Sequence, residues 1–244
     1  ALISLGEIGG SANRNVLLTV LHRGQKVLER PWAALALGVL SHDRMAGDQD
    51  ATADAVVGEA LLKQFLAIRA PSTRAAMAVA LGLARYQRAG EALLTVLGKK
   101  LHDDGLAGSI CIGLAMMDYR KARVRIHGLC LESAARPQLL EHAAMALGKL
   151  GDRRVTPTLT GMLGRSSNLG TLSAIAVALG RIGDRRSIDP LVALVGDSGT
   201  ANLSRAFAAA ALGGVADKEA LPWNAKISAN ANYRAATETL ADIM

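Results

Sequence analysis

Aromatic side chains are scarce in this sequence: two Trp, three Tyr and two Phe make up 3% of its 244 residues. A conventional globule of this length fills its core with more aromatic volume than that. The hydrophobic half of the composition is mostly Ala, Leu and Val, which points to helices packed closely on small side chains. Cysteine is scarce too. Cys111 and Cys130 are too few for a disulfide framework and do not report the redox compartment. No apolar run approaches the roughly 18 residues of a membrane span, and no segment reads as a signal peptide. The chain opens on Ala1, already inside a helical pattern, and so reads as an excised piece of something longer. Its compartment stays open between cytoplasm and, if an upstream leader was removed, secretion. Long single-sign charge runs are also missing. The 28 Lys and Arg and 21 Asp and Glu are dispersed, with net charge +7 and a pI of about 9.8. That balance permits an anionic partner without requiring one.

What the sequence has in abundance is repetition. A Leu-Gly pattern recurs at Gly6, Gly38, Gly82, Gly113, Gly148, Gly180 and Gly213, and a degenerate copy starts at Tyr233 and runs into Leu240. Before each glycine stands Leu5, Leu37, Leu81, Ile112, Leu147, Leu179 or Leu212. Two before it come Ala36, Ala80, Cys111, Ala146, Ala178 and Ala211; four before it, Ala34, Ala78, Ser109, Ala144, Ala176 and Ala209. Small residues at helical spacing make a face that another helix can approach closely. Further on, Leu93, Val96 and Leu97, or Leu159, Met162 and Leu163, give the i, i+3, i+4 stripe of a second, amphipathic helix. The turn between the two is clearest in Gly151-Asp152-Arg153-Arg154 and Gly183-Asp184-Arg185-Arg186. Gly there ends one helix in a left-handed conformation, and Asp caps the next. Each unit is helix, turn, helix in about 32 residues, and one hairpin alone leaves apolar faces bare, so copies must stack. No strand pattern occurs.

Thr171–Ser198, reading TLSAIAVALGRIGDRRSIDPLVALVGDS, resembles a bacterial short HEAT repeat of the phycobilin-lyase type. The tail Leu221–Leu240 resembles the closing segment of secreted bacterial HEAT-repeat proteins whose role is uncharacterised. The resemblance implies an all-α fold, an α-solenoid of about seven HEAT-like helical hairpins with both ends atypical, forming one domain over 1–244. For function it implies little, because scaffolds, lyases and hydroxylases share the repeat.

Departures from a repeat are better pointers to function than the repeat. The step from Gly38 to Gly82 is about 12 residues too long, and the excess falls in 41–54, SHDRMAGDQDATAD. This reads as a long insertion loop before a helix from about Ala55, with His42, Asp43, Arg44, Asp48 and Asp50 as candidate partner contacts. Its acids lack the Gly and bidentate Glu of an EF-hand loop, so a solvated loop with an Asp cap outweighs a metal site. At the other end, 217–244 reads as an irregular cap, where Pro222, Trp223 and the Asn-rich stretch 224–232 replace a second helix.

Catalytic signals are thin. HEAT-like hydroxylases, which this chain resembles in repeat type, hold iron with recurring His-Glu pairs. Here Glu141-His142 and His102-Asp103 do not recur at the repeat period. Cys111 and Cys130 fall at core positions of one copy, with His127 three residues from Cys130. Arg30, Arg74 and Arg205, each eight residues before a glycine, read as a structural ladder pairing with acids of the neighbouring turn. The turns carry Arg120, Arg153, Arg154, Arg185 and Arg186, candidate contacts along one edge, with Asp118, Asp152 and Asp184 cancelling part of the field. The sequence therefore reads as a non-enzymatic scaffold for a protein or peptide partner, with no cofactor assigned. The alternatives are a phycobilin-lyase-like cofactor handler and a binder of an anionic polymer through the basic turns. Nucleic acid is the less favoured partner, because single-strand readers need aromatic platforms.

Overall fold

The computed structural model describes residues 1–47, 53–99, 102–133, 135–166 and 168–216. Among these residues thirteen α-helices and three short 3₁₀ turns make up the regular structure, and there are no strands. The first helices of the repeats are α1 (Leu2–Ile8), α3 (Glu29–Gly47), α5 (Pro71–Leu83), α7 (Asp104–Met116), α9 (Pro137–Lys149), α11 (Leu169–Ile182) and α13 (Asn202–Ala216). The second helices are α2 (Ser11–Arg23), α4 (Ala55–Ala67), α6 (Gly90–Gly98), α8 (Arg123–Glu132), α10 (Thr156–Arg165) and α12 (Ile188–Gly196). Each first helix packs on the first helices before and after it, and each second helix leans on the first helices beside it. The result is a two-layer stack of hairpins, an α-solenoid with one continuous core from Leu17 to Val215.

The first-helix layer is held together by the small residues. A Cβ on Gly82 would lie 2.7 Å from Gly113 Cα, one on Gly180 3.1 Å from Gly214 Cα, and one on Gly38 3.0 Å from Ala80 Cα. At Gly113 it would overlap the Ala78 carbonyl oxygen. Backbone thus meets backbone, and at Gly82 and Gly113 even a methyl group forces neighbouring helices apart.

The structure corrects the repeat register in the fourth copy. Tyr86 N donates to Leu81 O (3.1 Å), Tyr119 N to Leu114 O (2.9 Å) and Asp152 N to Leu147 O (2.8 Å). Leu114 is therefore the counterpart of Leu81 and Leu147, and Ala115, not Gly113, stands in the repeat-glycine slot. The steps from 82 to 115 and from 115 to 148 then become equal. Gly113 takes the slot of Ala80 and Ala146, where a second glycine allows the closest approach in the stack. Cys111 moves to the slot of Ala78 and Ala144, and Cys130 to that of Leu97 and Leu163. Both thiols are fully buried. Burial, and then Cys130 beside it, pushes the Cys111 thiol up to about 12, and burial does the same to Cys130. They behave as small core hydrophobes.

The expected insertion loop 41–54 is also corrected. Helix α3 runs on through Gly47, so 41–47 is two extra helical turns. The helix carries on because Ser41-His42-Asp43-Arg44-Met45-Ala46 contains no breaker, and Ser41 returns its hydroxyl to Leu37 O (2.9 Å). Asp54 caps α4, accepting from Val56 N (3.0 Å) and Val57 N (3.2 Å). The irregular cap 217–244 lies outside the described residues.

Candidate partner-binding surfaces

With the register corrected, a ladder emerges that reading the sequence missed. Three residues before the glycine slot stand Leu35, Val79, Ile112, Met145 and Val177, one on each of α3, α5, α7, α9 and α11. One turn further on come Val39, Leu83 and Met116. These side chains point away from the main core. Val39, Leu83, Ile112 and Met116 form a second apolar cluster, with Val79 and Met145 packed against it. The ladder opens to solvent at its two ends, where Trp32 is 45% and Val177 39% exposed. Between those ends the ladder is buried or partly buried, with Leu83 at 1% and Ile112 at 5% exposure, so its free apolar surface lies mostly at the ends of the row. The sequence signal was present, an apolar residue at the same register in five copies. It was obscured because the two-residue slip at Gly113 put Ile112 in the wrong column.

The second surface is the edge formed by the turns inside each hairpin. In the α9–α10 turn Asp152 accepts from Arg154 N (3.1 Å) and grips the Arg154 guanidinium with both oxygens (2.9 and 2.6 Å). The α11–α12 turn repeats this with Asp184 and Arg186 (3.1 and 2.8 Å). Arg186 also donates to Arg153 O of the preceding turn (3.3 Å), tying neighbouring repeats together. The Arg154 guanidinium, and then the backbone bond, holds the Asp152 carboxyl below its ordinary range despite burial. At Asp184 burial works the other way, but the Arg186 side chain and backbone outweigh it and the carboxyl is again held low. The two carboxylates are only 3% exposed, while their arginines are 65% exposed. The acids therefore lie behind the turn and the cations in front of it.

Arg120 and Asp118 form an exposed pair (3.1 Å) in the α7–α8 turn. Lys121, Arg153 and Arg185 are exposed beside them, as are Arg85 and Arg88 in the α5–α6 turn. Burial, and then the Arg85 cation, holds Lys149 below its usual value, a sign that positive charge is crowded along this edge. The structure thus brings Arg120, Arg153, Arg154, Arg185 and Arg186 onto one edge.

The remaining candidates separate from that edge. His42, Asp43 and Arg44 sit on the helical extension of α3, His42 half-buried and the other two exposed. Arg44 and Arg14 both face Asp54, at 3.8 and 2.7 Å. Asp48 and Asp50 lie outside the described residues. The arginine ladder is structural, but its partners differ from those expected. Arg30 donates to Gly24 O (3.0 Å), Arg74 to Phe65 O (3.1 Å) and Arg205 to Val195 O (2.8 Å). Each thus neutralises the carbonyl end of the preceding second helix instead of an acid. Asp103, paired with His102 in the sequence, is used to cap α7 through Leu106 N (2.7 Å). Among the described residues no group of three His, Cys, Asp or Glu is placed to hold a metal ion, and no helix is long and apolar enough to cross a membrane.

An all-helical stack with small-residue contacts, Gly-Asp turns and a repeat near 33 residues defines an α-solenoid of helical hairpins. The family model for HEAT repeats matches residues 128–206. No curated protein matches the chain in sequence. A solved structure, the complex of CpcE and CpcF of phycocyanin lyase from Nostoc sp. PCC7120, contains a chain of similar fold, with a TM-score of 0.54 and 20% sequence identity. The match covers 88% of this chain and 79% of that one. Residues 128–206 thus match HEAT repeats, and the chain as a whole shares its helical-repeat fold with that solved chain.

Proposed function

We propose that this chain is a non-enzymatic scaffold whose first-helix layer docks an apolar segment of a protein partner. The observation that carries this reading is the ladder from Trp32 and Leu35 to Val177, an apolar face repeated at one register, packed side chain against side chain in its middle and exposed at its two ends. Layers packed on Gly and Ala are shorter than layers packed on Leu, so a stack bends toward its small-residue side. That places the ladder on the inside of the curve, where a partner meets several repeats at once. Rigid, preformed side chains lose little entropy on binding.

The similar chain comes from a complex of two proteins of a lyase, which agrees with a protein partner and also motivates a second reading, a cofactor handler of lyase type. The two differ in what the ladder holds. The test is capture from source-organism extract by the wild-type domain and by the double variant Trp32→Glu, Val177→Glu, at high salt. A protein retained by the first and lost by the second supports the scaffold reading. Equal retention by both would sink it, and a chromophore bound to the wild type alone would favour the cofactor handler.

A further inference from the structure

The basic turn edge is a second and chemically different surface. It lies on the rim of the hairpins, whereas the apolar ladder covers the outer side of the first-helix layer. Its arginines are held ready. Asp152 and Asp184, buried behind the turn, fix Arg154 and Arg186 through Nε and one terminal nitrogen. The other terminal nitrogen, Nη1, is the guanidinium's remaining pair of donors. A guanidinium already fixed in orientation loses little freedom when it binds a carboxylate. The charge is also unevenly placed. A ligand approaching the edge meets side chains 65% exposed at Arg154 and Arg186, 68% at Arg120 and 77% at Arg88, and not the carboxylates at 3% behind the first two.

We infer that this edge binds an extended acidic segment of a protein, with carboxylates at about every third residue. The inference rests on the scaffold reading and adds a second contact to it. Packed helices stand about 8–10 Å apart, so successive turns offer cations at about that interval. A segment in the polyproline II conformation advances about 3.1 Å per residue with three residues per turn, so every third side chain lies on one face and falls in step with the turns. Nucleic acid fits less well. The only aromatic rings in these turns, Tyr86 and Tyr119, lie on the preceding second helices, where a Cβ on Gly58 or Gly90 would strike them. They are thus unavailable as platforms for stacked bases.

The test is fluorescence anisotropy at low salt with four probes: a labelled peptide with Glu at every third position, one with the same glutamates in a single block, a single-stranded RNA of equal charge, and anionic phospholipid vesicles. The spaced peptide should bind at least tenfold tighter than the block peptide. The triple variant Lys121→Gln, Arg153→Gln, Arg185→Gln should lose that binding at least tenfold, and the salt dependence should flatten. Its unfolding midpoint should stay within a few degrees of the wild type, since all three side chains are exposed. Equal binding of the two peptides, tighter binding of RNA or vesicles, or an unaffected triple variant would each overturn the proposal. The Trp32→Glu, Val177→Glu variant should bind the spaced peptide normally. Failure at the edge is therefore separate from failure of the apolar face.

Discussion

The four hairpin turns between α5 and α12 come in two kinds. In the α5–α6 and α7–α8 turns the pivotal residue is Tyr86 or Tyr119; in the α9–α10 and α11–α12 turns the same position is Asp152 or Asp184. The tyrosines lie across the preceding second helix, on Gly58 and Gly90, leaving no room for a Cβ there. Tyr119 also donates its hydroxyl to Glu91 (2.8 Å). The aspartates instead accept from the backbone N–H two residues on and grip that residue's guanidinium, Asp152 with Arg154 and Asp184 with Arg186, and the residues in the slot of Gly90 are now Arg123 and Thr156. The left-handed position differs as well. Gly151 and Gly183 occupy it in the Asp turns, whereas Arg85 and Asp118 are forced into it in the Tyr turns, with φ of 47° and 52°. One fold is closed in two ways, by apolar burial in the middle of the chain and by capping and charge toward its end. Strain at Arg85 is tolerated because the buried Tyr86 ring stabilises more than the left-handed backbone costs, roughly 3–5 against 1–2 kcal/mol.

The largest expected break in this comparison is at the rings. Tyr86→Ala should lower stability by about 4 kcal/mol, because a side chain 4% exposed leaves a cavity over Gly58. Urea unfolding followed by circular dichroism measures it, and a loss under 1 kcal/mol would show that the ring is incidental. A double-mutant cycle sharpens the point. Tyr119→Asp and Gly90→Thr should each destabilise alone, and combined they should show a favourable coupling of about 2 kcal/mol, since together they rebuild the Asp-type turn. Additive losses would mean that the two turn types are not interchangeable.

The smallest effect is in the Asp turns. Asp184→Asn should cost about 1 kcal/mol at pH 7 through the weakened cap and lost ion pair. The carboxyl is held below its unfolded value of about 3.9. Its contribution is therefore full above that value and fades as pH falls through the lower folded one. Wild type and variant should converge in urea stability as the pH falls below the folded value, and a gap that persists there would assign the effect to packing instead.

The same contrast explains what could be read without coordinates. The Asp turns announce themselves, since Gly-Asp-Arg-Arg followed by an apolar run has a capping chemistry visible residue by residue, and the HEAT family match falls on that half, 128–206. The Tyr turns do not, because a ring is placed by the glycine it lies on some thirty residues away. Without that pairing the fourth repeat slips by two residues onto Gly113, and the apolar ladder breaks at Ile112.

The sequence by itself determined the all-helical class, the hairpin unit, the small-residue faces and the cationic turns, because each is a local pattern of period, cap and volume. Only the tertiary structure decided which glycine belongs to which slot, that 41–47 extends a helix, that Arg30, Arg74 and Arg205 serve helix carbonyls, and that Asp152 and Asp184 lie behind their arginines. The physical reason is common to all four: each depends on what a neighbouring repeat or turn places against the residue, and that is settled by packing across the stack and not along the chain.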